Sequence, residues 1–362
     1  MFDAGIVGAG IVGCAIAREV AARGLSVVVI EKNPEPCRET SALNSRVIHS
    51  GFHEIPGTLK ARLAAEGSRQ IIQYAETHGV PLLPTGMLIA IPHGGIQAGL
   101  WRDTRALWDL WRAGRRQDVA FRFVFTAGAV REIAPIRAVG GIFIPSVRVI
   151  SVEDVAAGFV ADAKAAGARF ELGREIVSIS PDGTSHRIET SIGEIKARTL
   201  INAAGLGAHE ISSMAGGPAY PIEFIRGDYY ELLGGVARWG IRTLVYPAMP
   251  PHSKSKGIHF GPRTDGRLFL GPSATPVAEQ APKQLFLDAA RKFLPEIRDT
   301  DLRWAYAGVR PKSATNTNKS DFTIRLDRLS PPLINLIGID SPGLSASMAI
   351  ARHVTKIVLN PE

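Results

Sequence analysis

Gly8, Gly10 and Gly13 stand in the order G-x-G-x-x-G, written GAGIVG, and the apolar run that follows ends on Glu31. The first glycine permits a tight turn, the second lets a pyrophosphate reach a helix N-terminus, and the third lets helix and strand pack closely. The unpaired N–H groups of that helix end, with its positive dipole, hold phosphate oxygens. Glu31 stands where a carboxylate accepts hydrogen bonds from a ribose 2′-OH and repels a 2′-phosphate. The chemistry these residues serve is dinucleotide binding. An ordinary βαβ unit with chance glycines is the competing reading, and position, spacing and terminal acid together weigh against it. Two further small-residue turns, Asn202-Ala203-Ala204-Gly205 and Gly338-Ile339-Asp340-Ser341-Pro342-Gly343, follow apolar runs and admit a ligand close to backbone. Only one dinucleotide fingerprint occurs, which argues against a flavin and a nicotinamide dinucleotide in two such folds.

Elements must hold these turns in place. Residues 3–7 read as a strand, 11–23 as a helical run broken at Gly24, and 26–30 as a second strand. The stretch 39–56 is polar and rich in small residues, so it reads as a functional loop. Helical periodicity spans 59–78 and stops at Gly79. Short strands at 87–91 and 121–125 flank a Trp-rich helix. A helix at 152–167 is capped by Ser151, with Asp154 near its start. Strands are expected at 170–172, 175–179, 186–190 and 195–201, with Pro181-Asp182-Gly183 as a hairpin turn. Residues 220–305 read mainly as strands around one helix at 284–293. A last strand at 333–337 leads into a small-residue helix at 344–359.

The chain has 362 residues, enough for two connected domains, and 45% hydrophobic with 21% charged residues fits a globular protein with ample core. No apolar run is long enough to span a bilayer. Ile11-Val12-Gly13-Cys14 looks like a lipoprotein cleavage box, but no basic residue precedes it and Asp3 interrupts the apolar start, so no signal peptide is expected. Cys14 and Cys37 give neither a disulfide framework nor metal spacing, which fits a reducing, cytoplasmic compartment; Cys14 is expected to pack on the first helix and Cys37 to lie exposed. No metal site is expected. The net charge is +8, yet no basic block and no nucleic-acid motif occurs, so a nucleic-acid partner is excluded. Between Trp101 and Arg116 three tryptophans interleave with five arginines. A surface helix with one buried stripe is favoured there over an interfacial helix resting on lipid headgroups, and peripheral contact at the inner face of a membrane stays open.

The GAGIVG turn with Glu31, the Ile201 to Gly205 turn and the GIDSPGLSAS string resemble the D-amino-acid-oxidase-type flavoprotein superfamily. Within it, several strings resemble the L-2-hydroxyglutarate dehydrogenase family: Asn44 to Gly51 (NSRVIHSG), Pro56 to Ala61, Arg226 to Tyr229, Gly257 to Arg263, Leu270-Gly271-Pro272 and Ala307 to Arg310. Arg46 stands where that family usually has glycine. Phe52-His53 replaces an apolar–tyrosine pair, and the stretch between Pro272 and Ala307 is short. Arg226-Gly227-Asp228 is also a cell-adhesion tripeptide; here it reads as a buried turn.

The resemblance implies FAD as cofactor. Gly8, Gly10, Ile11, Val12, Gly13, Glu31 and Lys32 would serve its ADP half, together with Ala204 and Gly205. Thr40, Ser41, Asn44, Ser45, His49, Ser50 and Gly51 would surround the isoalloxazine, as would Gly308, Arg310, Pro342, Gly343, Leu344 and Ser345. A helix N-terminus at Leu344 would stabilise negative charge on reduced flavin. A 2-hydroxy acid is oxidised by losing its hydroxyl proton to a base and a hydride from C2 to flavin N5. Histidine suits the base, with His49 the first candidate and His259 the second. A carboxylate needs a rigid, bidentate cation, and Arg310 follows a glycine turn where related amine oxidases place theirs. Arg263 and Lys60 are candidates for a second carboxylate or for the flavin. Tyr246 and Tyr229 are candidate hydrogen-bond donors to substrate.

The expected fold class is α/β, a Rossmann-like FAD-binding domain (1–83, 151–215 and 306–362) interleaved with a β-rich α+β substrate domain (84–150 and 216–305). The expected activity is oxidation of a 2-hydroxy acid, L-2-hydroxyglutarate first, with electrons passed to a quinone or another acceptor. The alternative is an amine or amino-acid oxidase of the glycine-oxidase type. A flavin-holding structural protein and a nicotinamide-only dehydrogenase are the remaining readings.

Overall fold

The computed structural model describes residues 1–93, 105, 107–109, 111–112, 115, 119–249, 256–314 and 321–361. Strand Phe2–Val7 enters helix Ile11–Ala21, and strand Val27–Glu31 returns parallel beside it, in register from Ala4 with Val27 to Val7 with Ile30. All five residues of Val27–Glu31 are buried, as parallel strands covered on both faces must be. Gly24, at φ +81°, makes the turn between helix and strand.

The eight-stranded sheet pivots on Gly193–Asn202. One edge of that strand lies parallel to Phe2–Val7. Its other edge takes antiparallel Ser185–Thr190 at residues 193–197 and parallel Pro332–Ile337 at residues 200–202. The register sets Val7 beside Asn202 and Asn202 beside Asn335. Three parallel strands therefore end together, and the turns at Gly8, Ala203 and Gly338 emerge side by side. In open α/β sheets that carboxyl edge is where ligands bind. Asn202 donates through Nδ2 to Asn335 Oδ1 at 2.7 Å, which satisfies two buried amides at the seam.

Helices Leu59–His78, Val152–Ala165 and Gly343–Leu359 cover this sheet with Ile11–Ala21, sharing a core that includes Ile16, Ile71, Phe159 and Ile350. A Cβ on Gly67 would lie 2.4 Å from Ser345 O, so two helices cross there in backbone contact.

A nine-stranded sheet forms the other layer, running from Thr275–Pro276 at one edge to Arg122–Val124 at the other. Its core gathers Leu88, Phe260, Leu270, Phe286 and Phe293. Strand Leu302–Ser313 pairs with Ile222–Leu232 along its length, from Leu302 with Leu232 to Ser313 with Ile222. It crosses the boundary expected at 306, because its second half stays hydrogen-bonded in this sheet. A small sheet of Val47–Ile48, Leu82–Leu83 and Arg148–Ile150 joins the layers.

Several expectations need correction. Arg226-Gly227-Asp228 is mid-strand, and Asp228 is fully buried; it accepts from Arg226, Ser273 Oγ, Ala281 N and Trp304 Nε1. Cys37 is buried, with its Sγ 3.6 Å from Ala9 O. Much of the Trp-rich stretch 101–116 lies outside the described residues; within them Leu107 is buried and Trp108 exposed, stacked on Trp111 at 4.4 Å. Helices Ala127–Ile133, Ala208–Met214 and Gly235–Trp239 and strand Thr323–Leu329 were not read from the sequence. Among the described residues no helix is long and apolar enough to cross a membrane.

Candidate functional site

The glycine turn is built by close backbone contact. A Cβ on Gly13 would sit 1.9 Å from Gly8 O, and one on Gly8, at φ +99°, 2.6 Å from Ala203 O. Gly10 differs, since its Cβ would meet only Ser41 Oγ at 3.2 Å, on the open side of the turn. Glu31 braces the turn from beneath. Its Oε2 accepts from Ala9 N at 2.8 Å and its Oε1 from Asn33 N and Nδ2 at 2.9 and 2.7 Å. A carboxylate has about four acceptor sites, so room for a ribose hydroxyl remains.

A cavity of about 340 Å³ opens from this turn, lined at that end by Gly10, Ile11, Val12 and Gly205. Gly8, Gly13 and Glu31 shape the turn without lining it. Lys32 pairs with Glu39 at 2.7 Å and also stays outside; that hydrogen bond holds its pKa up. Ala204 donates its N–H to Asn202 Oδ1 at 3.3 Å and lies behind the lining.

Thr40, Ser41, Asn44 and Ser45 line the middle. Ser41 Oγ accepts from Ile11 N at 3.0 Å, Thr40 Oγ1 donates to Val309 O at 3.0 Å, and Asn44 Nδ2 donates to Ser41 O at 2.6 Å. Arg46 holds φ +59°, the left-handed region, which explains why glycine suits this position. Its guanidinium is bidentate on Glu153, and Asn44 Oδ1 accepts its N–H at 2.7 Å. Arg263 grips the same loop from the other sheet, donating to Ser45 O, Asn44 O and the Tyr306 hydroxyl. It is 4% exposed and absent from the lining, and burial pulls its pKa down. The arginine expected at a second carboxylate thus has its donors on the loop.

Gly308 lines the cavity and is also a packing point, because its Cβ would fall 1.9 Å from Leu43 O. Pro342, Gly343 and Leu344 close the far end, where helix Gly343–Leu359 has no side-chain cap. Ser345 stands behind them, its Oγ accepting from His49 N at 2.9 Å. Ser50, whose Oγ is buried without a partner among the described residues, and Gly51, at φ +86°, lie outside the lining.

His49, His259, Tyr246, Arg310 and Lys60 all line the same cavity. Tyr246 and His259 stack at 3.9 Å, and the His49 ring lies 6.4 Å from Tyr246. Burial drives the His49 pKa well down, aided by Lys256, and brings His259 to about 3. Both imidazoles are therefore uncharged at neutral pH. His49 Nδ1 is buried without a partner among the described residues. Arg310 Nη2 donates to Ser273 O at 3.0 Å, while its Nε is buried without a partner among the described residues. Lys60 forms a buried pair with Asp340, 4.9 Å over the Phe322 ring; burial works against its charge, but Asp340 outweighs it and the pKa rises. Tyr229 also lines the cavity, stacked on Tyr306 at 4.6 Å, with burial raising its phenol pKa.

His53, Glu54, Lys256, Lys312 and Asp340 share the lining and were not singled out from sequence. His53 carried a signal, as it stands where the resembling dehydrogenases have tyrosine. Lys256 Nζ sits 3.0 Å from Glu54.

The residues fit FAD. Two helix N-termini without side-chain caps open on one cavity, Gly10 leaves the turn bare, and the lining runs unbroken from Gly10 to Leu344. A family model described as FAD dependent oxidoreductase matches residues 3–357. The chain is 27% identical to a glycerol 3-phosphate dehydrogenase of Caloramator mitchellensis, over 99% of this chain and 74% of that one. It is 25% identical to an L-2-hydroxyglutarate dehydrogenase of Indibacter alkaliphilus over 99% of each. The fold superimposes on FAD-bound L-alpha-glycerophosphate oxidase from Mycoplasma pneumoniae with a TM-score of 0.89, at 23% identity, over 99% of this chain and 94% of that one. This chain belongs to the DAO family of FAD-dependent oxidoreductases, and FAD is its cofactor.

Proposed function

We propose that the enzyme oxidises a 2-hydroxy acid bearing a second anionic group, L-2-hydroxyglutarate first, to the 2-oxo acid. One observation carries this reading. Among the described residues the cavity is lined by Lys60, Lys256, Arg310 and Lys312 against the carboxylates of Glu54 and Asp340, which pair with Lys256 and Lys60. The lining histidines are uncharged, so the basic side chains outnumber the acidic ones, which supports an anionic substrate. A zwitterionic amino acid would leave that excess unmet, which weighs against the amine-oxidase alternative. Both dehydrogenase relatives are named for dianionic CH–OH substrates, which supports the same class.

Bound FAD supplies the acceptor for the hydride leaving C2. Arg310, which lines the cavity, binds the carboxylate next to the reacting carbon through charge-assisted hydrogen bonds from its guanidinium. His49 takes the hydroxyl proton; its Nδ1 is enclosed, so Nε2 is the nitrogen that meets substrate. Ser345 fixes the His49 backbone, and Tyr246 with His259 forms a flat wall that excludes water. Lys60 holds Asp340 in the turn before the last helix, and Arg263 holds the Asn44–Ser45 loop. The same reading gives 1–83, 151–215 and 306–362 to the cofactor and 84–150 and 216–305 to the substrate, with strand Leu302–Ser313 serving both. A quinone or another carrier takes the electrons. Exposed Trp108 with Arg105, Arg112 and Arg115 is the surface for any anionic membrane contact, and co-sedimentation with anionic vesicles that salt abolishes tests it.

The deciding experiment mixes the purified enzyme anaerobically with L-2-hydroxyglutarate and follows flavin absorbance. Rapid bleaching supports the reading. Bleaching by glycine or another amino acid, and by no hydroxy acid, overturns it.

A further inference from the structure

We propose that His53 is a specificity residue that, with Lys256, receives the second anionic group of a substrate whose first carboxylate lies on Arg310. The proposal rests on the dianion reading above and assigns the two ends of that dianion to two different cations, Arg310 and Lys256.

The His53 ring is held by packing alone. It meets Phe52 edge-on at 5.8 Å, lies tilted over Tyr246 at 6.0 Å and meets His49 edge-on at 6.3 Å. Phe52 is 1% exposed and is itself fixed edge-on against Phe121 at 5.8 Å. Among the described residues neither ring nitrogen of His53 has a hydrogen-bond partner, although the residue lines the cavity. An imidazole fixed by packing, with no protein partner on its nitrogens, is placed to hydrogen-bond a ligand in the cavity it lines.

The cations divide in the same sense. Lys256 is the charged group that bears on His49, His53 and His259 together. Arg310 bears instead on Tyr229 and Lys312, and its guanidinium rests on Ser273 O. Lys256, 3.0 Å from Glu54, is thus the cation beside His53, and Arg310 is a separate cation for the first carboxylate.

The groups facing His53 are His49 and His259, Tyr246, and Lys256 with Glu54. Burial, then Lys256 and His259, pull the His53 pKa to about 3. It therefore acts as a neutral imidazole, donating one hydrogen bond to the anion while Lys256 supplies the charge. A site built to hydrogen-bond a group rejects the analogue that lacks it far more strongly than an apolar pocket rejects an added methylene.

The test compares glutarate with butyrate as non-reacting ligands, read by perturbation of the flavin absorbance, in the holoenzyme and in His53→Phe and His53→Gln. The wild type is expected to bind glutarate more tightly than butyrate. His53→Phe should lower that preference about tenfold or more, and His53→Gln, which keeps a donor, should retain most of it. The same variants are assayed with L-2-hydroxyglutarate and L-2-hydroxyvalerate, where His53→Phe should raise KM for the first and spare kcat/KM for the second. Equal weakening of both ligands, or an unchanged preference in His53→Phe with full flavin content, overturns the role of His53. Absence of any glutarate preference in the wild type also overturns it. A glutarate preference that falls in His53→Phe, without bleaching by L-2-hydroxyglutarate, keeps the role of His53 and rejects only that substrate.

Discussion

The nucleotide turn and the substrate wall solve opposite problems. At the turn the working groups are backbone N–H and C=O, and the structure consists of missing side chains, with Gly13 against Gly8 O and Gly8 against Ala203 O. At the wall the working groups are side chains, His49, His53, Tyr246, Lys256, His259 and Arg310, brought from four separate stretches of chain. A backbone-built site needs a few residues in fixed local order. A side-chain-built site tolerates almost any order, provided long-range pairing delivers the groups. Substitutions at the turn should therefore abolish cofactor binding outright, whereas substitutions at the wall should grade the chemistry and leave the flavin bound.

The sharpest break is Gly13→Ala. Its Cβ has no room against Gly8 O, so the purified protein should carry no FAD by absorbance, and a yellow variant would mean the turn is softer than this packing allows. At the wall, His49→Asn should keep its flavin and lose about 10²- to 10⁴-fold in kcat, the usual worth of a positioned base. Full retention of kcat would move the proton-accepting role elsewhere, with His259 next. Arg310→Ala should cost about 2–5 kcal/mol in kcat/KM by leaving a carboxylate unpaired, and Arg310→Lys should recover part of that loss because charge survives and the planar fork does not. Equal values for the two would show that only charge matters there.

The pH profile sharpens the contrast further. A histidine whose pKa is lowered keeps its neutral, proton-accepting form below the ordinary value near 6.5. The kcat/KM of the free enzyme should therefore show no loss as pH falls through 6.5, and the acid limb should lie well below it, since burial lowers His49, His53 and His259 alike. An acid limb centred at 6.5 would show His49 to be solvated. The smallest effect belongs to Arg46→Gly. It relieves a left-handed φ but loses the ion pair with Glu153, two effects of about 1 kcal/mol each that oppose, so Tm and flavin content should change little.

Legibility followed the same division. The strand–turn–helix–strand at residues 2–31, helix Leu59–His78 and the last strand and helix could be read because local pattern alone forms them. Short elements such as Ala208–Met214 were missed, being held by tertiary packing rather than propensity. The string Arg226-Gly227-Asp228 misled because adhesion-like residues suggest a turn, whereas burial of Asp228 among donors from Arg226, Ser273, Ala281 and Trp304 makes it a strand interior. On the wall, sequence could nominate Arg263 by residue type, but only the fold reveals that its donors end on Asn44 and Ser45. Lys256 and Glu54 lie some two hundred residues apart, and nothing local links them.

The crossing at Gly67 has a further consequence. Helix Gly343–Leu359 touches Leu59–His78 there through backbone, and His49 N bonds Ser345 Oγ across nearly three hundred residues. Synthesis runs from the N-terminus, so the glycine turn leaves the ribosome long before the helix that completes its neighbourhood. The nascent chain must wait with its first sheet lacking both Gly193–Asn202 and Pro332–Ile337, and contacts of such long sequence separation form late and slowly. The cavity lining is complete only once Pro342, Gly343 and Leu344 have joined Gly10, so the flavin meets its full surround only in a chain made almost to its end.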